Sequence, residues 1–472
     1  MENYLCRFTK PMTLISSISG TRGTIGGRPG DNLTPIDAAN FAAAFALFIK
    51  EQSGKEQPLV VIGRDARPSG GWLSDVVSAT LQASGVHVKD LGLSTTPTVE
   101  VAVPVLNADG GIILTASHNP VEWNALKLLN AKGEFISAEE GAKLLARISS
   151  GDFVFPEVGM TGSAAMEEGW IDRHVEMVLD YPLVNREAIA NANLKIAFDA
   201  VNSTGGLAIP KMLTALGVKD IVALNDDVSG NFAHNPEPLK EHLTEICSKV
   251  KEASCHLGIV VDPDVDRLAL ISEDGEMFGE EYTLVAIADY YMKHRPGSTV
   301  SNLSSSRALR DVTEQAGQAY HASAVGEVNV VTKMKAVNAV IGGEGNGGII
   351  VPDFHYGRDA LIGIALFLSH YVESGMKMSE MKDSYPQYAM AKNKVQLQKG
   401  MNPDDLIQQM IERYKNEQVN TIDGLKIDFA EEWVHLRKSN TEPIIRIYTE
   451  SKTKESAEAL AERIEAELNA LI

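Results

Sequence analysis

Residues 257–267 read Leu-Gly-Ile-Val-Val-Asp-Pro-Asp-Val-Asp-Arg, a short apolar run that empties into three alternating aspartates. An uninterrupted run of this length suits a strand covered on both faces, as in a largely parallel sheet. The loop beyond such a strand is where open α/β sheets place their ligands. Two further stretches share the design. Residues 110–114 (GGIIL) lead into Thr115-Ala116-Ser117-His118-Asn119-Pro120, and residues 339–341 (AVI) into Gly342-Gly343-Glu344-Gly345-Asn346-Gly347-Gly348.

Working outward, strand-length apolar runs alternate with amphipathic stretches over roughly the first 380 residues, which predicts repeated β-α units. The last part differs. It predicts a strand at 395–397, a helix at 403–415, strands at 425–429, 433–436 and 444–448, and a closing helix at 454–471 with Ala457, Leu460, Ala461, Ile464 and Leu468 at helical spacing. The expected fold class is α/β: three similar β-α domains with mixed, largely parallel sheets, plus a C-terminal α+β domain. Glycine- and proline-bearing junctions at 151–164, 273–279 and 384–391 set expected domains of 1–155, 156–275, 276–385 and 386–472.

Composition agrees with several domains, since 472 residues exceed what one core usually organises. Forty-three Lys and Arg against 63 Asp and Glu leave a formal charge of −20, a field that repels nucleic acid and anionic membrane surfaces. Neither is expected as a partner. An anionic ligand needs a local island of cations or backbone donors. Cys6, Cys247 and Cys255 are odd in number and lack metal-ligand spacing, as in a reducing compartment. The mixed stretch 12–18 is too brief for a signal peptide, and no run approaches the roughly 18–20 apolar residues of a membrane span. A cytoplasmic protein is expected, with residues 1–11 a loose extension.

The chemistry concentrates in the loops. Asp262, Asp264 and Asp266 stand at i, i+2 and i+4, so in an extended segment they face one side and converge on a hard cation such as Mg²⁺. An EF-hand Ca²⁺ loop fits Glu273 at the twelfth position, but Arg267 occupies the sixth, where Gly is required, and 268–271 reads as a strand. A solvated acidic turn is the plainer alternative. Ser117 follows a buried strand at the sheet's carboxyl edge, although Ser, Asn and Pro also form ordinary turns. A Ser-His-Asp hydrolase is disfavoured, because adjacent side chains in an extended segment point apart and His118 neighbours Ser117. The second His-Asn-Pro, at 234–236, lacks a preceding Ser and is assigned no role. Glu344 and Asn346 stand among five glycines that let backbone approach a small polar ligand. Arg437, Ser439, Asn440 and Thr441, with Arg446, offer donors suited to a phosphate, or else form a basic hairpin loop in solvent.

Taken together these segments resemble the α-D-phosphohexomutase family, which includes phosphoglucomutase, phosphomannomutase and phosphoglucosamine mutase. The likeness runs from about Ser19 to the end. TASHNP, DPDVDR, GGEGNGG and RKSNTEP stand in the family's order, and SGTRG at 19–23 and GRDARPS at 63–69 look like two further family elements. The resemblance implies four domains around a central cleft and a phosphoryl group carried by Ser117, with Ser117, Asp262, Asp264 and Asp266 holding Mg²⁺. The catalytic set it implies is Ser117, Arg22, Lys127 and His118, with Arg22 and Lys127 the candidates for proton transfer. The implied substrate-binding set is Arg64, Arg267, Glu327, Glu344, Asn346, Arg437, Ser439, Asn440, Thr441 and Arg446. A small sugar phosphate is then the ligand, and a hexose 1,6-bisphosphate is intermediate and activator.

The chain departs from the family in three places. The sugar loop often reads G-E-x-S-G-H, and here Asn346 and Gly348 take the Ser and His positions. Ser16-Ser17-Ile18 and Ser19 replace the family's F-G-T and the Asp of D-G-I-R-G. Glu327 occupies a place where some members put a sugar-contacting His, and an extra carboxylate suits a 2-amino sugar. Glucosamine phosphate is therefore favoured over glucose or mannose phosphate. A sugar-phosphate-binding protein without chemistry and a metal-dependent phosphatase are the competing accounts.

Overall fold

The computed structural model describes residues 12–17, 20–398, 400–439 and 443–471. The chain forms two compact units, one built from the chain up to Thr283 with Gly348–Ser379, the other from Leu284–Gly347 with Glu380–Ile472.

In the first unit, Gly110–Leu114 is buried at every position and lies between Leu59–Arg64, its parallel neighbour, and Trp123–Leu129, its antiparallel one. The full sheet runs Ile15–Ser17, Gly20–Thr24, Trp123–Leu129, Gly110–Leu114, Leu59–Arg64, His87–Leu93, Ala164–Met166. The last of these, beyond the first expected junction, pairs parallel with His87–Leu93 at the sheet's edge. Helix Pro35–Ser53 covers one face. Thr34 and Asp37 form a capping box, Pro35 fits the first turn, and Gly54 closes the helix at φ 67°. Its Phe41, Phe45, Phe48 and Ile49 pack with Val60, Ile62, Ile112 and Leu114 of the sheet.

A second sheet, Leu268–Ser272, Leu257–Val261, Lys195–Asp199, Asp220–Leu224, is parallel except for the antiparallel pair of Leu257–Val261 with Leu268–Ser272. That hairpin pairing makes the aspartate loop a sharp return between two buried strands. The antiparallel strands Gly348–Val351 and His355–Arg358 lead into helix Ala360–Ser374. Leu361, Ile362, Ile364, Leu366, Phe367 and Leu368 are all buried, so this helix is apolar nearly all round, as an interior helix is.

The second unit holds Thr299–Asn302 between two parallel neighbours, Tyr320–Ser323 and Ile341–Glu344. Strand Ile341–Glu344 begins where the expected strand at 339–341 ends and takes in part of the glycine motif. A Cβ on Gly342 would lie 2.7 Å from Val300 O and 2.8 Å from Met334 Sδ, so glycine lets the chain pass here as a strand. The C-terminal part is an antiparallel sheet, Ala389–Gln396, Ile444–Ser451, Trp433–Lys438, Leu425–Asp428, Gln418–Asn420. The three-residue strand Gln418–Asn420 had no signal in the sequence. Helix Lys454–Asn469 buries Ala457, Leu460, Ala461, Ile464 and Leu468, the expected stripe. Among the described residues no helix is long and apolar enough to cross a membrane.

Candidate active site

Ser117 sits just past the buried strand Gly110–Leu114 with φ 49°, a left-handed conformation uncommon for a residue with a side chain. Its N–H donates to Thr115 Oγ1 at 3.0 Å, and its hydroxyl donates to Asp262 Oδ2 at 2.7 Å. What holds the loop in this shape is Arg67. Its guanidinium donates to the carbonyls of Ser117, Asn119, Pro120 and Trp123 at 2.5–3.1 Å and pairs with Asp65 at 2.9 Å, with the side chain buried. A planar fork with five donors suits four converging carbonyls better than an ammonium would.

Asp262, Asp264 and Asp266 are all buried, and one carboxylate oxygen from each lies within 4.8 Å of the others. The convergence arises differently from the expected extended alternation. Val265 is buried at φ 62° and its N–H donates to Asp262 O at 3.1 Å, so a tight turn gathers the three side chains. A β-branched residue in that region is strained, and such strain persists where surrounding contacts over-determine it. Asp262 Oδ1 accepts the N–H groups of Asp266 and Arg267 at 3.2 Å. Thr96 Oγ1 donates to Asp264 Oδ2 at 2.5 Å, and Lys127 Nζ lies 2.7 Å from Asp264 and 3.4 Å from Asp266. Arg358 donates to Asp266 Oδ2 at 2.7 Å.

After these contacts, Asp264 Oδ1 and Asp266 Oδ1 remain buried without a hydrogen-bond partner among the described residues. Buried carboxylate oxygens left in this state cost free energy unless a cation takes them up. An all-oxygen set of three carboxylates fits a hard divalent ion such as Mg²⁺. The electrostatics point the same way. Burial, followed by the like charges of Asp266 and Asp264, pushes the Asp262 carboxyl well above its ordinary range. Burial works in that direction on Asp264 too, but Lys127 outweighs it and holds that carboxyl below its usual value. Lys127 in turn is raised, because Asp264 and Asp266 overcome its burial.

Other expected site residues gather nearby. Arg22, on Gly20–Thr24, lies opposite Ala125, while Lys127 lies opposite Gly20, which puts the two cationic side chains on one face of the sheet. Arg22 keeps solvent access, yet partial desolvation, then the like charge of Arg267, lowers its guanidinium from its ordinary value. Arg267 Nε stands 4.0 Å from Asp262 and 3.9 Å from Asp266. Arg64 ends strand Leu59–Arg64 in register with Leu114, and its Nη1 donates to Asp65 O at 3.3 Å. His118 Nδ1 is 3.5 Å from Ser117 Oγ, at the limit of a hydrogen bond. Burial, then the charge of Arg267, lowers its imidazole to about 2, so it stays neutral.

The second unit carries the remaining candidates. Glu344 Oε1 accepts Asn302 Nδ2 at 2.9 Å and Gly326 N–H at 3.0 Å, while Glu327 is buried at the start of helix Glu327–Val337. Asn346 follows in the turn after strand Ile341–Glu344. Arg437 and Arg446 face each other in register on adjacent strands, and Lys394 faces Arg446 from the other side. Like charges directly opposite are unfavourable, so a row of three cations is a place for an anion. Ser439 lies just past this row, its N–H donating to Ile444 O at 3.1 Å. Asn440 and Thr441 lie outside the described residues.

Four residues were not singled out from the sequence. Arg67 sits two positions after Asp65 within GRDARPS, and that spacing was its one local signal. Thr96, Arg358 and Lys394 reach their partners across 168, 92 and 52 positions, which only tertiary packing reveals.

Four family models match the chain in order: Phosphoglucomutase/phosphomannomutase alpha/beta/alpha domain I at residues 16–155, domain II at 172–275, domain III at 279–388 and the C-terminal domain at 393–467. A phosphoglucomutase/phosphomannomutase of Thermococcus kodakarensis is 35% identical over 92% of this chain and 95% of its own. A probable phosphoglucosamine mutase of Methanopyrus kandleri is 30% identical over 93% and 95%. The crystal structure of a phosphoglucomutase/phosphomannomutase family protein from Burkholderia thailandensis matches with a TM-score of 0.83 and 25% identity, over 96% of this chain and 97% of that one.

Proposed function

Because the chain belongs to the phosphoglucomutase/phosphomannomutase family of phosphohexomutases, we propose that it interconverts hexose 6-phosphate and hexose 1-phosphate through a phosphorylated Ser117 and a hexose 1,6-bisphosphate. The observation that carries this reading is the Ser117 hydroxyl 2.7 Å from Asp262, one of three buried carboxylates gathered in a single turn.

A phosphoserine brings about −1.5 to −2 charges, which an acidic protein tolerates only where cations collect. Mg²⁺ held by Asp262, Asp264 and Asp266, with an oxygen at position 117, would neutralise charge on the phosphoryl group. Lys127 and Arg267 supply the protein's own positive charge there. In the forward step the bond from phosphorus to Ser117 Oγ breaks and one to the sugar's free hydroxyl oxygen forms. That hydroxyl gives up its proton as the bond forms, and Arg22 can take it only in its neutral guanidine form, towards which partial burial and then the charge of Arg267 shift it. Lys127, kept as an ammonium by Asp264 and Asp266, donates where a proton must be returned. His118, neutral and beside Ser117, orients the hydroxyl, and Arg64 adds charge at the same sheet edge. Positioning and neutralisation account for most of what phosphoryl transfer asks of a protein.

The bisphosphate turns around before its other phosphate returns to Ser117. Arg437, Ser439, Asn440, Thr441 and Arg446, with Lys394, hold the phosphate that is not reacting, and Glu344 and Asn346 take sugar hydroxyls. In domain terms, 1–155 carries the phosphoserine, 156–275 the metal ligands, 276–385 the sugar-reading groups and 386–472 the second phosphate site.

Glucosamine phosphate is the preferred substrate in this reading, since Glu327 and Glu344 add carboxylates that suit an ammonium group. The 30% identical probable phosphoglucosamine mutase supports it. Glucose and mannose phosphates are the second reading, favoured by the name of the 35% identical relative. Turnover of glucosamine 6-phosphate compared with glucose and mannose 1-phosphates, with Mg²⁺ and sugar bisphosphate added, decides between them. Much faster reaction of the neutral sugars overturns the amino-sugar preference. Release of inorganic phosphate without isomerisation, or turnover undiminished by chelator, overturns the mutase reading itself.

A further inference from the structure

Two consecutive amides of one loop in the second unit reach two different carboxylates. Val325 N–H donates to Asp423 Oδ2 at 2.9 Å, and Gly326 N–H donates to Glu344 Oε1 at 3.0 Å. Glu344 ends the strand of the glycine-rich motif, whereas Asp423 belongs to the turn before strand Leu425–Asp428. The same Asp423 oxygen lies 2.9 Å from Nε of Arg437, an ion pair in which the Nε–H makes no hydrogen bond among the described residues. Among the described residues, Arg437 has no other ion-pair partner.

Asp423 is firmly mounted. Gly424 beside it has φ 78°, and a Cβ there would lie 2.1 Å from Leu436 O, so the turn presses on the strand that carries Arg437. A second strut runs through His435, which is buried. Its Nε2–H donates to Asp423 O at 2.7 Å, which leaves Nδ1 to accept the Ser304 hydroxyl at 2.9 Å. Ser304 N–H donates to Asn302 Oδ1, and Asn302 Nδ2 donates to Glu344, so the connections close on the same carboxylate.

We infer that Asp423 is a positioning residue: its carboxylate holds the Arg437 guanidinium by charge at the end of the cationic row and ties it to the loop that also holds Glu344. This rests on the reading of Arg437 as a phosphate-binding group. Binding of a phosphate gains when the guanidinium that meets it is already held in place by a neighbouring charge. Without Asp423, repulsion along the row Lys394, Arg446, Arg437 pushes Arg437 away from its neighbours. Fixed spacing between the sugar-reading and phosphate-reading groups suits a substrate that must be read in two orientations.

The test is a double-mutant cycle on the full chain with glucosamine 6-phosphate and glucose 1-phosphate, using Asp423→Asn, Arg437→Ala and both together. Asparagine keeps an acceptor for Val325 N–H but removes the negative charge that faces Arg437. The expected result is a KM raised about tenfold or more by each single change, the scale of a lost charge-assisted contact, with little further rise in the double variant. Melting temperature should barely move in Asp423→Asn. A rise with Arg437→Ala but none with Asp423→Asn overturns the inference and leaves the phosphate reading intact, as do additive effects in the double variant. An unchanged KM in Arg437→Ala overturns the phosphate reading of Arg437, and the inference with it.

Discussion

The Ser117 hydroxyl donates to the Asp262 carboxylate at 2.7 Å across 145 positions of sequence. Ser117 lies in the loop after strand Gly110–Leu114 of the first sheet and Asp262 begins the loop after Leu257–Val261 of the second, so packing of two separate β-α layouts brings the hydroxyl against the aspartate turn. This contact is the one on which the proposed phosphoserine and Mg²⁺ roles rest.

Lys127 separates charge neutralisation from cation binding. Replacing it with methionine removes the ammonium 2.7 Å from Asp264, and turnover should fall by roughly 10²-fold or more. Mg²⁺ should bind no more weakly, because Asp264 and Asp266 lose a competing positive charge. Steady-state turnover with calorimetric titration of Mg²⁺ checks both halves. Normal turnover with weakened Mg²⁺ binding would contradict the assignment.

Arg67 holds the Ser117 loop by its carbonyls while neutralising buried Asp65. Arg67→Met should cost about 3–5 kcal/mol of stability, the usual penalty for leaving one member of a buried pair alone. Arg67→Lys keeps the charge, but an ammonium cannot serve four carbonyls at once. Its kcat should drop while KM changes little, since the loop that presents Ser117 loosens. Thermal melts and steady-state kinetics of the two variants test this.

His435 gives the second unit an acid-sensitive contact. Burial first, then the charges of Lys426 and Arg437, lower its imidazole from 6.5 to about 4 in the fold. As pH falls, the unfolded chain takes up a proton on this residue before the folded one does. Stability is therefore full above about pH 6.5 and is lost between there and about pH 4, by roughly 3 kcal/mol in total. Melting temperature followed over that window should decline, and the decline should flatten in His435→Gln.

The order of the loops, and the placement of Ser117 and the three aspartates just past buried strands, were legible in the sequence because a strand of that kind has a clear apolar signature. Spacing alone misread how the aspartates converge, since the left-handed turn at Val265 leaves no compositional trace. Arg358 reaching Asp266, Thr96 reaching Asp264 and Lys394 extending the cationic row depend on which strands become neighbours. Spacing along one chain does not encode that. The three-residue strand Gln418–Asn420 is too short for a period of two to register.

The most direct measurement is intact-protein mass spectrometry after incubation with hexose 1,6-bisphosphate and Mg²⁺, with hexose phosphate interconversion followed in parallel. The protein should gain one phosphoryl group, and Ser117→Ala should gain none and show no interconversion. Continued interconversion by Ser117→Ala, or a phosphoryl group located on another residue, would contradict the account at its centre.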